Sequence, residues 1–460
     1  MNINRIIKTT VSPKNLALFR IVFGLAILFH ISLFVLPGIS INFFSDGLFT
    51  KSSLATLSQN TAYSIFDYIQ SDFLVVIVFV ITYLFLFSFI LGFHSRISGI
   101  MLTFLLWNIF QRCIFSGGAE RTYCICILLL SNFINLDQAF ALRINTKPFV
   151  NQSLALRAIS LQVGIIYLCA AVLKSDISWY NGEIFQHILS DPLNVYSIWH
   201  GKEVNSLSTL SIAIICIECM IGAIFIILPK NHFVRMLGCT LLLICHLSII
   251  TFLNLWHFAF YACALAILFW PNKETIRLTN MIYDTKKAFF STAALAIYLV
   301  MVMAINGTSI YFSKNYPRAC RFQPLTKIGK VIKQHRFASA SPFSQEWGLY
   351  GNIPEQFGCI TFVGLNDANN MVNLVSGNLE YNTICCDYNN LFQKEHLEIL
   401  RLIYLYMGFE RTREPMLLLL SSYKDYYKRK YKMNFKYIEM RFYFFEEGDL
   451  KYKILLRKIT

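Results

Sequence analysis

The segment 167–182, YLCAAVLKSDISWYNG, carries side chains suited to acid–base chemistry at the end of an apolar run that begins near Leu154. Lys174 is the one amine in this segment, and Asp176 and Trp179 follow it closely. An ionisable side chain inside a membrane span is costly, which makes it a candidate functional residue. Alternatively, a lysine near the boundary can extend its ammonium to the lipid headgroups. Position alone leaves both interpretations open.

The composition predicts a polytopic membrane protein with a polar appendage. Hydrophobic residues make up 56% of the 460-residue chain and charged residues only 15%. A net charge of +15 in such a chain indicates contact with anionic lipids or a topological bias rather than nucleic-acid binding. Membrane lipids are therefore expected partners, and nucleic acid is not. No cleavage pattern of a signal peptide follows the first apolar run.

The apolar runs predict an all-α membrane bundle with about 8–9 transmembrane helices. The fourth and eighth of the runs are short for a complete span, so the number is uncertain by one or two. The runs lie near 15–36, 72–93, 97–116, 120–136, 154–174, 206–228, 233–253, 256–270 and 288–312.

The distribution of basic residues predicts which side each loop faces, because cytoplasmic loops collect lysine and arginine. With a cytoplasmic N-terminus, the inner ends hold Arg5, Lys8, Lys14, Arg96, Arg143, Lys147, Arg157, Lys230, Arg235, Lys273, Arg277, Lys286 and Lys287. The outer ends hold Lys51, Arg121, Lys174 and Lys202, the C-terminal region apart. The sequence therefore predicts a multi-pass protein of the cell membrane, with Lys174 and the C-terminal region on the extracytoplasmic side.

Two domains are expected, a transmembrane domain at 1–312 and an extracytoplasmic α+β domain at 313–460. The second contains a candidate strand, GCITFVGLND, an amphipathic helix near 391–408, and two strands joined by a turn at 447–449. An oxidising compartment would permit a disulfide bond among Cys320, Cys359, Cys385 and Cys386, and the pairing stays open. Two long outer loops, near 37–71 and 175–205, are interpreted either as lids over a cavity or as simple connectors.

Polar residues of several other spans are expected at the outer half of the bundle. Glu120 and Arg121 follow a glycine-rich turn, SGGAERTY, where an acid can also serve as a helix cap. His30 lies in the first span, below the same surface. Arg20, nearer the start of that span, is interpreted as a snorkelling side chain or as a donor between helices.

Two histidines of the stretch CHLSIITFLNLWHF complete the expected cavity. His246 lies near the middle of a span, where it either satisfies a neighbouring helix or lines a site, and His257 lies at the outer end. A desolvated lysine in such a cavity would be a neutral amine able to take a proton from a weak acid such as a hydroquinone. Cys216 and Cys219 have a CxxC-like spacing but no second pair, so no metal site is predicted.

These motifs resemble the horizontally transferred transmembrane (HTTM) domain, the group that includes the vitamin K-dependent gamma-glutamyl carboxylases. The similar passages, in order over about residues 12–275, are LALFRIVFG, LGFHSRIS, SGGAERTY, AAVLKSDISWYNG and the stretch 246–258. The resemblance implies that Lys174 is the base that deprotonates a reduced vitamin K or menaquinol-type quinone. It places His246 on a position that is also histidine in the carboxylases, and it implies a secreted peptide or protein as the final substrate.

The chain departs from the carboxylases at two of these motifs. They have an Asn–His pair where this chain has Gly118-Ala119-Glu120-Arg121, and their lysine is one of two in tandem whereas Leu173 precedes Lys174 here. Their lumenal region is also much larger. The fold and a lysine-centred cavity are therefore expected to apply to this chain, but carboxylation of glutamate is not.

A second branch of the group, the B component of sporulation-delaying toxin systems, is similar in the passage Ala-Ala-x-x-Lys…Trp…Asn-Gly, and PFSQEWGLY at 342–350 resembles a motif of its soluble partner.

The leading hypothesis is a peptide-modifying enzyme in which Lys174 is the base and His246, Glu120, Arg121, Asp176, Trp179, His30 and His257 bind the quinol or substrate. The alternative is a non-catalytic component for maturation, export or immunity of a secreted antimicrobial peptide. A transporter ranks third, because no paired broken helices are evident.

Overall fold

The computed structural model of the protein is mostly helical, with a small antiparallel sheet near the C-terminus. It describes residues 11–48, 64–113, 119–145, 152–175, 177–189, 207–228, 231–252, 256–271, 358–375, 409–446 and 449–459. The description below is confined to these ranges.

The described part of the N-terminal bundle contains ten helices. They are α1 (Pro13–His30), α2 (Asp72–Leu91), α3 (Ser95–Arg112), α4 (Ala119–Ser131), α5 (Gln152–Leu173), α6 (Ile177–Tyr180), α7 (Glu183–Leu189), α8 (Leu207–Ile227), α9 (His232–Phe252) and α10 (Trp256–Phe269). Helix α1 continues through a π turn and a 3₁₀ turn to Asn42, and a 3₁₀ turn spans Ile65–Tyr68.

Local sequence signals explain where these helices begin and end. Ser12 caps α1, since its hydroxyl accepts a hydrogen bond from the Asn15 backbone N–H at 3.1 Å, and Pro13 occupies the first helical position. Helix α2 ends at Gly92, which adopts a left-handed φ of 71°. A Cβ atom there would lie 2.5 Å from the Arg20 guanidinium, so both the backbone angle and the space require glycine.

Five of the described helices are long and apolar enough to cross a membrane: Pro13–Asn42, Asp72–Leu91, Leu154–Leu173, Leu207–Ile227 and His232–Thr251. The apolar helix Phe258–Phe269 is shorter. The chain is therefore compatible with a polytopic membrane protein. The prediction of eight or nine spans exceeds these five, and the predicted span at 288–312 lies outside the described residues.

One end of the bundle, called the Arg20 end, is closed by hydrogen bonds between side chains and backbone groups of other segments. Arg20 is fully buried and donates to the carbonyls of Leu136 at 2.8 Å and of Ile90 at 3.3 Å, and it pairs with Asp137 at 3.2 Å. This confirms the interpretation of Arg20 as a donor between helices. The same end holds the contacts of Asn15 with Trp270, Asn135 with Gln152, Arg157 with Ile226 and Arg235 with Phe269.

These contacts show in which direction six of the helices run. Helices α1, α5 and α9 begin at the Arg20 end, whereas α4, α8 and α10 finish there. The opposite end, called the Lys174 end, therefore holds the end of α5, the start of α8, His30 and the α1 extension. Polar residues from the outer halves of several spans were predicted to lie close together, and this is possible only if successive helices alternate in direction in this way.

The sheet has the strand order β2-β1-β3-β4 and all its pairs are antiparallel. Its strands are β1 (Gly358–Asn366), β2 (Met371–Asn373), β3 (Phe435–Glu446) and β4 (Asp449–Ile459). On β3, Glu439 is fully buried and pairs with Arg441 at 2.5 Å and with Arg457 of β4 at 2.7 Å. The β1 and β3–β4 strands predicted from sequence are confirmed.

Helix α11 (Phe409–Tyr431) precedes β3 and packs on the sheet through Leu419, Leu420, Tyr423 and Tyr427. Leu48, from the turns that follow the α1 extension, is buried in the same core, and Arg429 of α11 donates a 2.8 Å hydrogen bond to the Gly47 carbonyl. The helix–sheet unit is thereby fastened to the Lys174 end of the bundle. The predicted helix at 391–408, the domain boundary at 312/313 and the pairing of the C-terminal cysteines lie outside the described residues.

Candidate functional site

Lys174 forms a buried ion pair with Glu218, which joins the end of α5 to α8. The Lys174 side chain is only 13% exposed and that of Glu218 only 8%. The Lys174 ammonium also lies 5.6 Å from the centre of the Trp179 ring, within the range of a cation–π interaction. The lysine therefore points into the protein at a carboxylate and an aromatic face. This arrangement differs from a side chain that snorkels towards headgroups.

Close packing of α5 against α8 brings this pair together. A Cβ on Gly222 would lie 2.6 Å from Leu168 Cγ and 3.0 Å from the Gly164 carbonyl, and one on Gly164 would lie 2.8 Å from the Ile226 nitrogen. Glycines that face each other let two membrane helices approach backbone to backbone. Glu218, one turn from Gly222 on α8, is thereby held against the end of α5.

The short helices α6 and α7 cover this region and are called the lid segment, residues 177–189. Trp179, Ile184 and Ile188 are buried with Ala171 of α5 and Ile215 of α8. Gly182 between the two helices has a φ of 77°, and a Cβ there would lie 2.6 Å from the Ser208 nitrogen. The stretch GEIFQHIL, in the predicted outer loop near 175–205, forms the helix Glu183–Leu189. It belongs to a packed cover over the Lys174 end.

His246 lies in the same neighbourhood. Its ring is 1% exposed, its Nε2 is hydrogen bonded to the Tyr167 hydroxyl of α5, and the Phe258 ring packs edge-on with its centre 4.9 Å away. Lys174 interacts electrostatically with His246, and Glu218 with Tyr167. The Lys174–Glu218 pair and the Tyr167–His246 pair are therefore neighbours. A mid-span histidine is thus positioned by a tyrosine beside the ion pair.

Three buried polar atoms around this site have no hydrogen-bond partner within the described part of the chain: Glu218 Oε2, His246 Nδ1 and Ser211 Oγ. Ser211 lies seven residues before Glu218, on the same face of α8. An unsatisfied buried polar atom costs about 1–3 kcal/mol, so water or a ligand commonly occupies such positions. Because Tyr167 can donate to His246 Nε2, the Nδ1 atom can carry a proton. The site then offers one acceptor and one donor.

His30 and the start of α4 form a second cluster, around Tyr261 of α10. His30 Nδ1 lies 2.9 Å from the Tyr261 hydroxyl, and its ring stacks on Phe110 with centres 5.2 Å apart. The Tyr261 hydroxyl also bonds Cys124, on which the charge of Glu120 acts. This cluster is at the Lys174 end but is centred on a different helix from the ion pair.

Arg121, Asp176 and His257 were also predicted to bind the quinol or substrate. Arg121 donates to the carbonyls of Phe110 at 3.0 Å and Cys113 at 2.5 Å, which terminates α3. Its predicted role in binding stays a prediction. Asp176 lies outside the described residues, and so does the side chain of His257 in α10. No group of three or more His, Cys, Asp and Glu residues in the described ranges could hold a metal ion.

Sequence reasoning overlooked Glu218, the partner of Lys174. Glu218 is the single charged residue of the 21-residue apolar helix α8. The rule that identified Lys174, an ionisable group inside a span, applies to it equally and could have found it. Tyr167 and Tyr261 were also overlooked. A buried tyrosine hydroxyl leaves no such signal in a sequence rich in aromatic residues.

The described geometry therefore contains a buried ion pair, a cover and a positioned histidine. In comparisons with protein-family models, with characterised proteins and with solved structures, no family model, protein or structure matches this chain.

Proposed function

We propose that this chain is a membrane-embedded enzyme that removes a proton from a weakly acidic, lipid-soluble substrate at the Lys174–Glu218 pair. The observation that carries the proposal is a buried ion pair whose Glu218 Oε2 has no partner among the described residues, beside His246 with an equally unpartnered Nδ1. Ionisable groups in a membrane interior are costly and are found mainly where they serve a function.

The substrate class we propose is a hydroquinone, as the resemblance to the vitamin K-dependent carboxylases implies. A hydroquinone hydroxyl can donate to a carboxylate oxygen and accept from an imidazole N–H, which matches the acceptor and donor of this site. Aromatic rings of Trp179 and Phe258 lie beside the two groups. The molecule that is finally modified in this proposal is a secreted peptide. Because the chain differs from the carboxylases at residues 118–121 and 173, the proposed modification is not carboxylation of glutamate.

The proposal includes eight to nine spans, a cytoplasmic N-terminus and an extracytoplasmic C-terminal domain. The concentration of basic residues at the Arg20 end supports this orientation. The contact of Arg429 with Gly47 supports a helix–sheet unit on the same side as Lys174. A secreted peptide held by that unit would then lie on the side of the membrane where the site has its cover.

Hydroquinone-dependent oxygen uptake by purified protein in lipid nanodiscs tests the proposal. We expect uptake by the wild type, and a loss of at least about 100-fold in Lys174→Ala, since positioned acid–base groups contribute about 10²–10⁴-fold. Lys14→Ala, at an exposed lysine of the Arg20 end, is the matched control and should keep the wild-type rate. Wild-type uptake no faster than that of empty nanodiscs, or full activity in Lys174→Ala, would contradict the proposal.

The second candidate function is a non-catalytic component that matures, exports or confers immunity to a secreted antimicrobial peptide. The observation that favours it is the fastening of the helix–sheet unit to the bundle through Leu48 and Arg429, which creates a surface on which a peptide could be presented. Under this hypothesis Lys174→Ala is silent in a peptide-secretion assay, whereas a chain truncated after residue 312 loses the phenotype.

A further inference from the structure

The protonation state of the ion pair raises a question about which atom accepts the substrate proton. In an ion pair with a carboxylate, lysine is an ammonium, which has three donors and no acceptor. Lys174 lies against two groups that attract a cation: the Glu218 carboxylate and the Trp179 ring face. An ammonium held in this way cannot take another proton.

Glu218 offers the acceptor that Lys174 lacks. Its Oε1 atom is engaged by the Lys174 ammonium, whereas its Oε2 atom is buried and has no partner within the described residues. A carboxylate has acceptor capacity at both oxygens, and Oε2 keeps all of its own. The atom best suited to receive a proton is therefore on α8 rather than on α5.

We propose that Glu218 Oε2 receives the proton of the substrate, and that Lys174 remains an ammonium throughout and stabilises the resulting anion. The inference rests on the proposed function and deepens it. In this step the O–H bond of the substrate breaks, its electron pair stays on the substrate oxygen, and an O–H bond forms at Oε2. The ion pair changes from net neutral to net positive beside an oxygen that becomes negative. No oxidant or other reactant is needed for this step.

The charges around the ion pair decide what balances the proton that Glu218 receives. Among the described residues, the titratable groups that interact electrostatically with the ion pair are Tyr167 on α5, Cys245 and His246 on α9, and Cys219 next to Glu218 itself. None of these is a further carboxylate or a further permanent cation. The charge that balances a protonated Glu218 and a substrate anion is therefore supplied by Lys174 alone among these groups.

Replacing Lys174 with two different residues distinguishes a counterion from a base. Arginine keeps a permanent positive charge but cannot act as a base in proteins, whereas methionine removes the charge. We expect Lys174→Arg to retain hydroquinone-dependent oxygen uptake within about 10-fold of the wild type, and Lys174→Met to lose at least about 100-fold. Glu218→Gln should lose as much as Lys174→Met. Glu183→Gln, an exposed acid of the lid segment, is the matched control and should keep the wild-type rate.

Lys174→Arg as inactive as Lys174→Met, together with a folded Glu218→Gln that keeps more than about one tenth of the activity, would overturn the inference and assign the base to Lys174. Folding of each variant is checked by its elution as a single species in detergent. If the wild type shows no hydroquinone-dependent oxygen uptake, the proposed function is contradicted and the activities of the variants cannot be compared. A second measurement is therefore needed that does not depend on turnover.

That measurement is chemical labelling of Glu218 by a lipid-soluble carbodiimide, which reacts with protonated carboxyl groups and is located by mass spectrometry. We expect Glu218 to be labelled in the wild type and in Lys174→Arg, and Glu218→Gln to lose that label. Such labelling without any oxygen uptake would preserve Glu218 as a proton acceptor while rejecting hydroquinone as the substrate. A Glu218 that stays unlabelled, in a protein whose other carboxyl groups react, would overturn the inference.

Discussion

Stability measurements on the Lys174–Glu218 pair would show whether it is retained for function or for folding. Removing one partner of a buried pair strands the other charge, and such losses are about 3–5 kcal/mol. Because the Glu218 side chain is only 8% exposed and is short, we expect Lys174→Met to cost about 3 kcal/mol. Lysine has a flexible stem that can move its ammonium towards the boundary, so Glu218→Met should cost less, about 1.5 kcal/mol.

The double variant provides the decisive comparison. With methionine at both positions no charge is buried, and replacing a buried pair with apolar residues of similar volume is commonly neutral or stabilising. We expect Lys174→Met/Glu218→Met to lie within about 0.5 kcal/mol of the wild type, which corresponds to a coupling energy of about 4–5 kcal/mol. The same double variant should lose the hydroquinone-dependent activity completely. A stable but inactive protein would separate the functional role of the pair from any structural one.

The assay is reversible unfolding in mixed detergent micelles, followed by tryptophan fluorescence, for the wild type, both single variants and the double variant. Two results would refute the reasoning. In the first, the two single losses simply add in the double variant, so the side chains are not coupled. In the second, the double variant is both stable and fully active, which would leave the pair without a catalytic role.

Three further predictions follow from other contacts. Arg20→Lys should lower the unfolding free energy by about 3 kcal/mol, because an ammonium cannot reach the several acceptors of the buried guanidinium. Gly222→Val should cost about 2–3 kcal/mol by forcing α5 and α8 apart, and should lower activity by displacing Glu218; both are read from the same unfolding and oxygen-uptake assays. Burial raises the pKa of the Tyr427 phenol. The unfolded chain therefore loses this proton first, and the stability contributed by Tyr427 is present below about pH 10 and declines above it. Circular dichroism during alkaline titration should show this decline, and Tyr427→Phe should reduce its slope.

Much of the fold was predictable because the signals are local. The apolar runs of α1, α2, α5, α8 and α9 are long enough to identify each helix without its neighbours. The alternating pattern of β3 and β4 likewise identifies a hairpin. Helix α11, by contrast, was not predicted. Its apolar side faces a sheet whose position depends on residues far away in sequence.

The candidate site was only partly predictable. Lys174, His246 and Trp179 stand out by residue type and position, and the structure places them together at one end of the bundle. His30 and Glu120 stand out in the same way, but the structure gathers them around Tyr261 in a separate cluster. Which of several polar residues at one depth become neighbours depends on helix order and rotation, which a hydropathy pattern does not contain.

The amino-acid sequence by itself determined that this chain has membrane-length apolar helices, a basic end, and an ionisable Lys174 at the boundary of one helix. Those properties follow from composition and periodicity along a single segment. Only the tertiary structure decided that Lys174 is paired with Glu218, that a lid segment covers the pair, and that the helix–sheet unit is fastened to the same end. The physical reason is that an ion pair between α5 and α8 requires two glycines, Gly164 and Gly222, to meet across 58 residues of chain, a contact that no local pattern specifies.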